Sequence, residues 1–190
     1  MTARHYACLP RAAVSNGRHA ITTIQDAHIE PIRQWRNAQM DVLRQKQPLT
    51  EDDQTSYYAR CIWPTLVDRH PPNILLAFLE DERLIGYGGL VHISWPDQRA
   101  EVSFLLDPAL ASGASDYETR FSTFLLLLKQ LAFEDLRLNR LWTETFASRA
   151  HHIAVLEANG FRPEGCLRRH VRIAGAWVDS LLHGCLADEL

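Results

Sequence analysis

The chain has 190 residues, of which 46% are hydrophobic, and its 20 basic and 23 acidic side chains give a net charge of -3. This length and apolar content support one sizeable core rather than two. Because the charge is nearly balanced and no basic block is present, we expect no nucleic-acid partner, whose binding depends on neutralising phosphates.

The first residues carry no targeting pattern. Residues 1–16 contain scattered arginines and alanines but lack the continuous apolar stretch of a signal peptide. No apolar run in the sequence approaches the length that a bilayer crossing needs. We therefore expect a soluble, cytoplasmic protein without a membrane partner.

The amino-terminal segment shows no hydrophobic periodicity. It ends near Asn16 and Gly17, a dipeptide typical of turns. We predict a flexible tail over residues 1–18, followed by one domain over residues 19–190.

The domain begins with one strand and two helices. A β-branched run predicts a strand over 21–24, and apolar residues that recur at helical spacing predict a helix over 26–43. Thr50 is positioned to cap a second helix, which runs to about residue 63, and Asp53 completes a weak capping box.

Three apolar stretches in the middle of the chain, over 73–80, 83–94 and 100–106, predict an antiparallel meander. Gly88 and Gly89 lie inside the second of these strands. Glycine in a strand indicates a bulge or the close approach of another backbone.

The rest of the chain alternates helices with strands. A connection rich in small residues leads to an apolar helix over 117–135, which we expect to be buried on nearly all sides. The remaining predicted elements are a strand over 141–146, a helix over 150–158 and strands over 162–173 and 177–186. The pattern predicts an α/β (α+β) fold, a mixed, mostly antiparallel sheet of about seven strands covered by helices on both faces.

Several classes of enzyme are excluded by missing motifs. The sequence has no G-x-S-x-G nucleophile elbow, no phosphate-binding P-loop and no histidines at metal-ligand spacing. We expect neither a hydrolase nor a nucleotide triphosphatase, and no metal.

Four short segments resemble the GNAT superfamily of N-acetyltransferases. Residues 157–161 are similar to its E-x-x-G-F turn, and residues 175–179 to its G-x-x-x-D hairpin. Residues 35–37 and 100–102 look like the branch with ribosomal-protein N-terminal and bacterial amino-sugar acetyltransferases. The order of elements resembles this fold from residue 21 to residue 186.

The resemblance implies an acetyl-CoA-dependent transferase that acetylates a primary amine, either an amino sugar or a protein N-terminus, without a covalent enzyme intermediate. A homodimer is left open. It also implies that the strand over 100–106 parts from the strand over 141–146. Backbone N–H groups of Phe104, Leu105 and Leu106 would then be exposed as oxyanion donors and contacts for acetyl-CoA.

The glycine-rich acyl-CoA loop of the superfamily, (Q/R)-x-x-G-x-(G/A), is not intact here. One alignment puts Tyr117 and Thr119 at its two small positions, and the other anchors on Gly113. We expect the helix amino terminus, with Arg120 as an added cation, to hold the phosphates of the cofactor.

The helix over 150–158 departs from the family in a second way. Arg149 stands where the family has an asparagine against the pantetheine arm, and Leu156 where it often has a proton-donating tyrosine. Leu156 cannot donate, so His152, or its neighbour His151, is the candidate acid for the leaving thiolate. A purely structural role for the two histidines is the alternative.

Glu101 is the candidate general base, because it matches the Ala-Glu strand position of the branch. Alternatively, it pairs with an arginine such as Arg99 or Arg140. The remaining candidates are expected to contact the acceptor and suit a ring and an anionic group. They are Trp35, Arg36, Tyr57, Tyr58, His92 and Glu144.

The two departures from the family also motivate a different function. Without the loop glycines and the tyrosine acid, the chain could be a non-catalytic acyl-CoA sensor or partner-binding module. Both functions use the same fold, so only ligand binding and turnover distinguish them.

Overall fold

The computed structural model describes residues 3–111 and 113–189. In these residues one sheet has the strand order β1-β2-β3-β4-β5-β6-β8-β7, and only β5 and β6 run parallel. The strands are β1 (Ala13–Asn16), β2 (His19–Thr23), β3 (Ile74–Glu80), β4 (Arg83–Ser94), β5 (Arg99–Leu106), β6 (Arg140–Phe146), β7 (Arg162–Ile173) and β8 (Ala176–Leu186). The predicted mixed, mostly antiparallel sheet is confirmed, with β1 as an additional strand.

Four α-helices accompany the sheet in the described residues. They are α1 (Ile29–Ala38), α2 (Glu51–Tyr57), α3 (Ala114–Lys129) and α4 (Ala150–Ala158), and π-helical turns extend α2 over Tyr58–Ile62 and α3 over Gln130–Asp135. The predicted capping box is confirmed, since Thr50 Oγ1 accepts from Asp53 N and Asp53 Oδ2 accepts from Thr50 N.

Two helices differ from their predicted bounds. The first is shorter than 26–43, because the chain forms 3-10 turns before Ile29 and after Gln39. The third starts three residues before Tyr117, at Ala114, with Gly113 as its N-cap. Small polar residues at this start do not carry the apolar periodicity on which the prediction relied.

The amino-terminal segment is not a loose tail in its described part. Strand β1 pairs with β2, with Val14 opposite Ile21. The Tyr6 side chain is fully buried, and its hydroxyl accepts a hydrogen bond of 3.0 Å from Leu75 N. A local pattern could not indicate this packing, because the segment is stabilised by residues about 70 positions away.

The sheet carries helices on both faces. Phe104 of β5 stacks on Phe121 of α3, with ring centroids 4.6 Å apart. Neighbouring residues of a strand point to opposite faces, so Glu101 and Ser103 lie on the other side, which α1 and α2 cover. Residues on both faces contribute to the apolar core, and the polar cavities lie under α1 and α2 and where β5 and β6 part.

Two glycines bring the layers close together, as the sequence predicts. A Cβ on Gly88 would lie 2.1 Å from Ser103 O and 2.8 Å from Phe124 Cζ. Gly89 has φ +133°, and a Cβ there would lie 2.0 Å from Ile74 O. Larger residues would push β4 away from β3, β5 and α3.

In the parts of the chain that the structure describes, no helix has both the length and the apolar character of a membrane crossing.

Candidate active site

The two parallel strands separate in the middle of the sheet. Strands β5 and β6 pair over three residue pairs, ending at Glu101 opposite Trp142, although β5 continues to Leu106 and β6 to Phe146. The opening that the resemblance implies is therefore present, and Glu101 stands at its closed end.

Backbone donors of β5 face this opening. The hydrogen bond from Asp107 N to Ile85 O, 2.8 Å long, shows which residues of β5 direct their backbone N–H and C=O groups towards β4. Alternation along the ladder then directs the N–H groups of Phe104 and Leu106 away from β4 and towards β6. Leu106 O confirms this side, since it accepts from Gln39 Nε2 at 2.9 Å. The N–H of Leu105 points to β4, so the expectation that it contacts the cofactor is wrong for this group.

A cavity of about 540 Å³ occupies the opening and extends under α1. This volume lies within the usual range of small-molecule sites. Seven of the side chains predicted for the site line it, namely Arg36, His92, Glu101, Phe104, Glu144, Arg149 and His152.

An acidic cluster forms one side of the cavity. Glu101, with 7% of its side chain exposed, accepts from Arg44 Nη2 at 2.5 Å, and the same nitrogen lies 3.2 Å from Glu144 Oε2. His92 Nε2 lies 3.7 Å from Glu101 Oε2. One guanidinium is therefore shared by two carboxylates that face the same space and neutralises one of their two charges.

Arg44 is the functional residue that the sequence analysis missed. It lies in the segment after α1, 57 residues before Glu101, and no motif marks it. The two arginines considered as partners of Glu101 pair elsewhere, Arg99 with Asp97 and Arg140 with Glu164.

Glu144 retains an unmet acceptor. Its Oε1 is buried and has no hydrogen-bond partner among the described residues, and His170 Nε2 is 3.7 Å away. A buried acceptor without a donor costs free energy. The atom is therefore free to accept from a donor that enters the cavity.

A second polar cluster lies on the α3 and α4 side. Tyr117 Oη lies 2.6 Å from His152 Nδ1, and Arg149 Nη2 lies 3.3 Å from the same nitrogen. Since a guanidinium can only donate, Nδ1 is the acceptor and the imidazole proton is on Nε2. The His152 ring stacks on Phe121, with centroids 4.3 Å apart.

The imidazole of His152 is uncharged in this cluster. Burial, followed by the charges of Arg149, His151 and His183, holds the pKa of the His152 imidazole well below its usual value. The expectation that His152 titrates near neutrality is therefore wrong, and the side chain is a neutral donor at pH 7. Leu156, at the position of the family's acid, is fully buried.

Six predicted residues do not line the cavities, namely Leu105, Leu106, Tyr117, Trp35, Thr119 and Arg120. Trp35 packs on the core, and Thr119 is exposed and donates to Ser115 O at 2.9 Å. Arg120 lies against Glu80 at 3.4 Å rather than at a phosphate site, because α3 turns it towards β3. With α3 starting at Ala114, only the alignment on Gly113 places a small residue at the helix entrance.

A second cavity of about 300 Å³ adjoins the first. Three tyrosines line it, of which Tyr58 is 1% exposed and Tyr57 is 43% exposed, so one of the predicted pair is a core residue. The two cavities share four lining residues, namely Arg36, Leu49, Val91 and Ser103.

A sheet with two parting parallel strands and helices on both faces is the acetyltransferase fold of the GNAT superfamily. A spermidine N-acetyltransferase from Vibrio cholerae, solved with CoA and spermine, has this fold at a TM-score of 0.78 and 18% identity, over 92% of this chain and 98% of that one. A probable acetyltransferase from Chromobacterium violaceum aligns with a TM-score of 0.73 and 18% identity, over 100% of this chain and 92% of the other. No curated protein matches the sequence.

The sequence itself matches the family of acetyltransferase (GNAT) domains over residues 21–182. The chain therefore belongs to the GNAT family and is an N-acetyltransferase of this type. The resemblance to the superfamily is confirmed, whereas the amino-sugar and ribosomal branch stays a prediction.

Proposed function

We propose that the protein transfers the acetyl group of acetyl-CoA to a primary amine, with Glu101 as the general base. The observation that carries this proposal is the position of Glu101. Its buried carboxylate stands where β5 and β6 part, and it lines the same cavity as the backbone of Phe104. A base and an oxyanion donor are thus three residues apart on one strand.

The residues fit acetyl-CoA as a co-substrate. The opening between the strands supplies the N–H groups of Phe104 and Leu106, which are suited to a thioester carbonyl. The free N–H groups at the start of α3 are suited to a phosphate. Arg149 is half-buried at the start of α4 and adds a cation to these N–H groups. No carboxylate of the described residues lies within 4 Å of its guanidinium.

Each proton in the reaction has a place in this arrangement. The acceptor ammonium loses a proton to Glu101, and its nitrogen forms a bond to the thioester carbon. The oxygen of that carbon takes negative charge, which the β5 N–H groups stabilise. The nitrogen of this intermediate carries one proton more than the amide keeps, and as the C–S bond breaks that proton passes to the departing sulfur, which accepts a hydrogen bond from His152 Nε2.

Turnover is the direct test of this function. Thiol release from acetyl-CoA is measured with amines of three kinds, a polyamine, an amino sugar and a peptide with a free N-terminus, and the acetylated product is identified by mass spectrometry. We expect amide formation that depends on both substrates. The exposed Glu118 lies outside both cavities, so Glu118→Gln serves as the control for Glu101→Gln.

The second candidate is a non-catalytic acyl-CoA sensor. It is favoured by the fully buried Leu156 at the family's acid position and by the glycine-poor entrance to α3. Calorimetry with CoA distinguishes the two functions. Tight binding without turnover on any amine supports the sensor, and amide formation excludes it.

A further inference from the structure

The charges that line the two cavities do not suit a polycation. The larger cavity is lined by three arginines, Arg36, Arg44 and Arg149, against the carboxylates of Glu101 and Glu144. Arg44 contacts both carboxylates and neutralises one of their two charges, and Arg36 and Arg149 are further cations of the lining. With Asp53 of the second cavity included, three arginines face three carboxylates, so the lining lacks the net negative charge that favours a polyamine.

Arg36 is a cation without a counterion. No carboxylate of the described residues lies within 4 Å of its guanidinium, whereas Arg33, one turn earlier in α1, is paired with Glu30 at 2.6 Å. Arg36 is half-buried, and it lines both cavities where they join. A partly buried, unpaired guanidinium at a cavity junction is a site for an anion.

The surroundings hold this guanidinium in place. Arg36 Nη1 donates to Tyr87 Oη at 2.7 Å, and Nε donates to Gln45 Oε1 at 3.1 Å. Gln45 is held in turn by Asn37, whose Oδ1 accepts from its amide at 2.8 Å. These bonds use two of the five donors of the guanidinium. Its Nη2 has no partner among the described residues and is available for a ligand.

The anion site lies a short distance from the amine site. Ser103, which lines both cavities, is two residues from Glu101 along β5, about 7 Å at the usual rise of a strand. The second cavity continues beyond the junction between Tyr57, Tyr58 and Tyr87. Its one acidic lining residue, Asp53, is occupied by the Thr50 cap.

We propose that the acceptor is an amine that also carries a carboxylate or phosphate several bonds away, and that Arg36 binds this anionic group at the junction of the two cavities. The proposal rests on the proposed amine acetylation. It makes Arg36 a residue that determines specificity without taking part in proton transfer.

Matched pairs of amines test the proposal. Each pair differs in the anionic group alone, with hexylamine against 6-aminohexanoate for carboxylate and glucosamine against glucosamine 6-phosphate for phosphate. Spermidine and a peptide with a free N-terminus, an amidated C-terminus and no acidic side chain complete the panel. We expect kcat/KM of the wild-type protein to be about 10-fold or more higher for the anionic member of at least one pair, and that pair identifies the group.

Substitutions at Arg36 separate charge from structure. Arg36→Gln should lower kcat/KM for the anionic amine about 10- to 100-fold, the usual range for a charged hydrogen bond, and leave its neutral counterpart within about twofold. Arg36→Lys should retain part of the preference. The control is Arg33→Gln, which loosens the same segment through Leu49, whose carbonyl accepts from Arg33 Nη1 at 3.0 Å, without changing the cavity charge.

The outcomes distinguish this proposal from the proposed function. Higher turnover of spermidine, the peptide or the neutral amines overturns the anionic acceptor but leaves the acetyltransferase in place. If Arg36→Gln lowers kcat/KM equally for both amines of a pair, Arg36 has a structural role and does not bind the anionic group. No turnover with any amine overturns both proposals.

Discussion

The two sides of the larger cavity solve the same problem, the placement of a proton, in opposite ways. On the acceptor side, Glu101 and Glu144 are charged and share Arg44. On the side of α3 and α4, His152 is uncharged, and its Nδ1 is held by the hydroxyl of Tyr117. A carboxylate can take up the proton of an ammonium group, whereas a neutral imidazole whose Nδ1 is already hydrogen-bonded offers its Nε2–H as a hydrogen-bond donor and keeps the proton.

The contrast has a physical origin in the elements that supply each side. The carboxylates come from strands whose partner is an arginine on a partly exposed segment, with 47% of the Arg44 side chain accessible. His152 is packed between two helices and stacked on Phe121. Glu101 and His152 are similarly buried, so the neighbouring group makes the difference: an arginine faces the carboxylate, which favours its charge, and another arginine faces the imidazole, which disfavours a positive charge there.

The largest effect is expected on the acceptor side. Glu101→Gln keeps the shape of the side chain and removes its basicity, so kcat should fall about 100-fold or more. The affinity for acetyl-CoA, measured by calorimetry, should hardly change. If a folded Glu101→Gln variant retained nearly the wild-type kcat, relative to Glu118→Gln, Glu101 would have a structural role and would not be the general base.

A smaller effect on kcat is expected when His152 is replaced. His152→Gln removes the imidazole N–H that donates to the departing sulfur, and kcat should fall about 10-fold, the low end for a hydrogen bond to a charged group. His151→Gln is the matched control, since its exposed ring bonds to Ala114 O and does not line either cavity. Equal loss in both variants would show that the two histidines only support the helix.

The contact that holds His152 should matter less than His152 itself. Tyr117→Phe removes the hydroxyl 2.6 Å from Nδ1, and we expect a loss of about 1 kcal/mol in the free energy of unfolding. In nitrogen NMR spectra, the wild-type imidazole should show a single Nε2–H tautomer. A minor Nδ1–H tautomer should appear in the variant, because only the longer contact of Arg149 with Nδ1, at 3.3 Å, then opposes it, and kcat should fall severalfold. An unchanged tautomer would exclude Tyr117 as a positioning residue.

The smallest effect concerns stability at acid pH. Burial holds the pKa of His152 well below the value of about 6.5 in an unfolded chain. The unfolded state therefore binds more protons below pH 6.5, and the free energy of unfolding falls as the pH falls, by at most about 1 kcal/mol at pH 5.5 from this residue. Denaturant titrations at several pH values should show a weaker decline for His152→Gln than for the wild-type protein.

Most of the fold could be predicted from local patterns. Hydrophobic periodicity depends on neighbouring residues, so it located seven strands and the four helices. The glycines of β4 predicted close approach for the same reason, since a missing side chain has a local meaning. Helix bounds were less certain, because polar first turns such as that of α3 carry no apolar signal.

The site could be predicted only in part. Motif positions identified the protein family, placed Glu101 beside the opening and placed His152 near the cavity. They did not indicate Arg44, which reaches Glu101 from 57 residues away, or Tyr117 as the partner of His152 from 35 residues away. Arg120 was assigned to a phosphate but pairs with Glu80.

These misses share one physical reason. A sequence pattern states which face of an element is apolar and which residue types it carries, and this is sufficient to determine elements and family. The partner of a buried charge depends on which elements the strand order brings together, as when the segment after α1 is laid over β5 and β6. Only the tertiary structure decided that two carboxylates share Arg44 while Arg36 is left without a counterion.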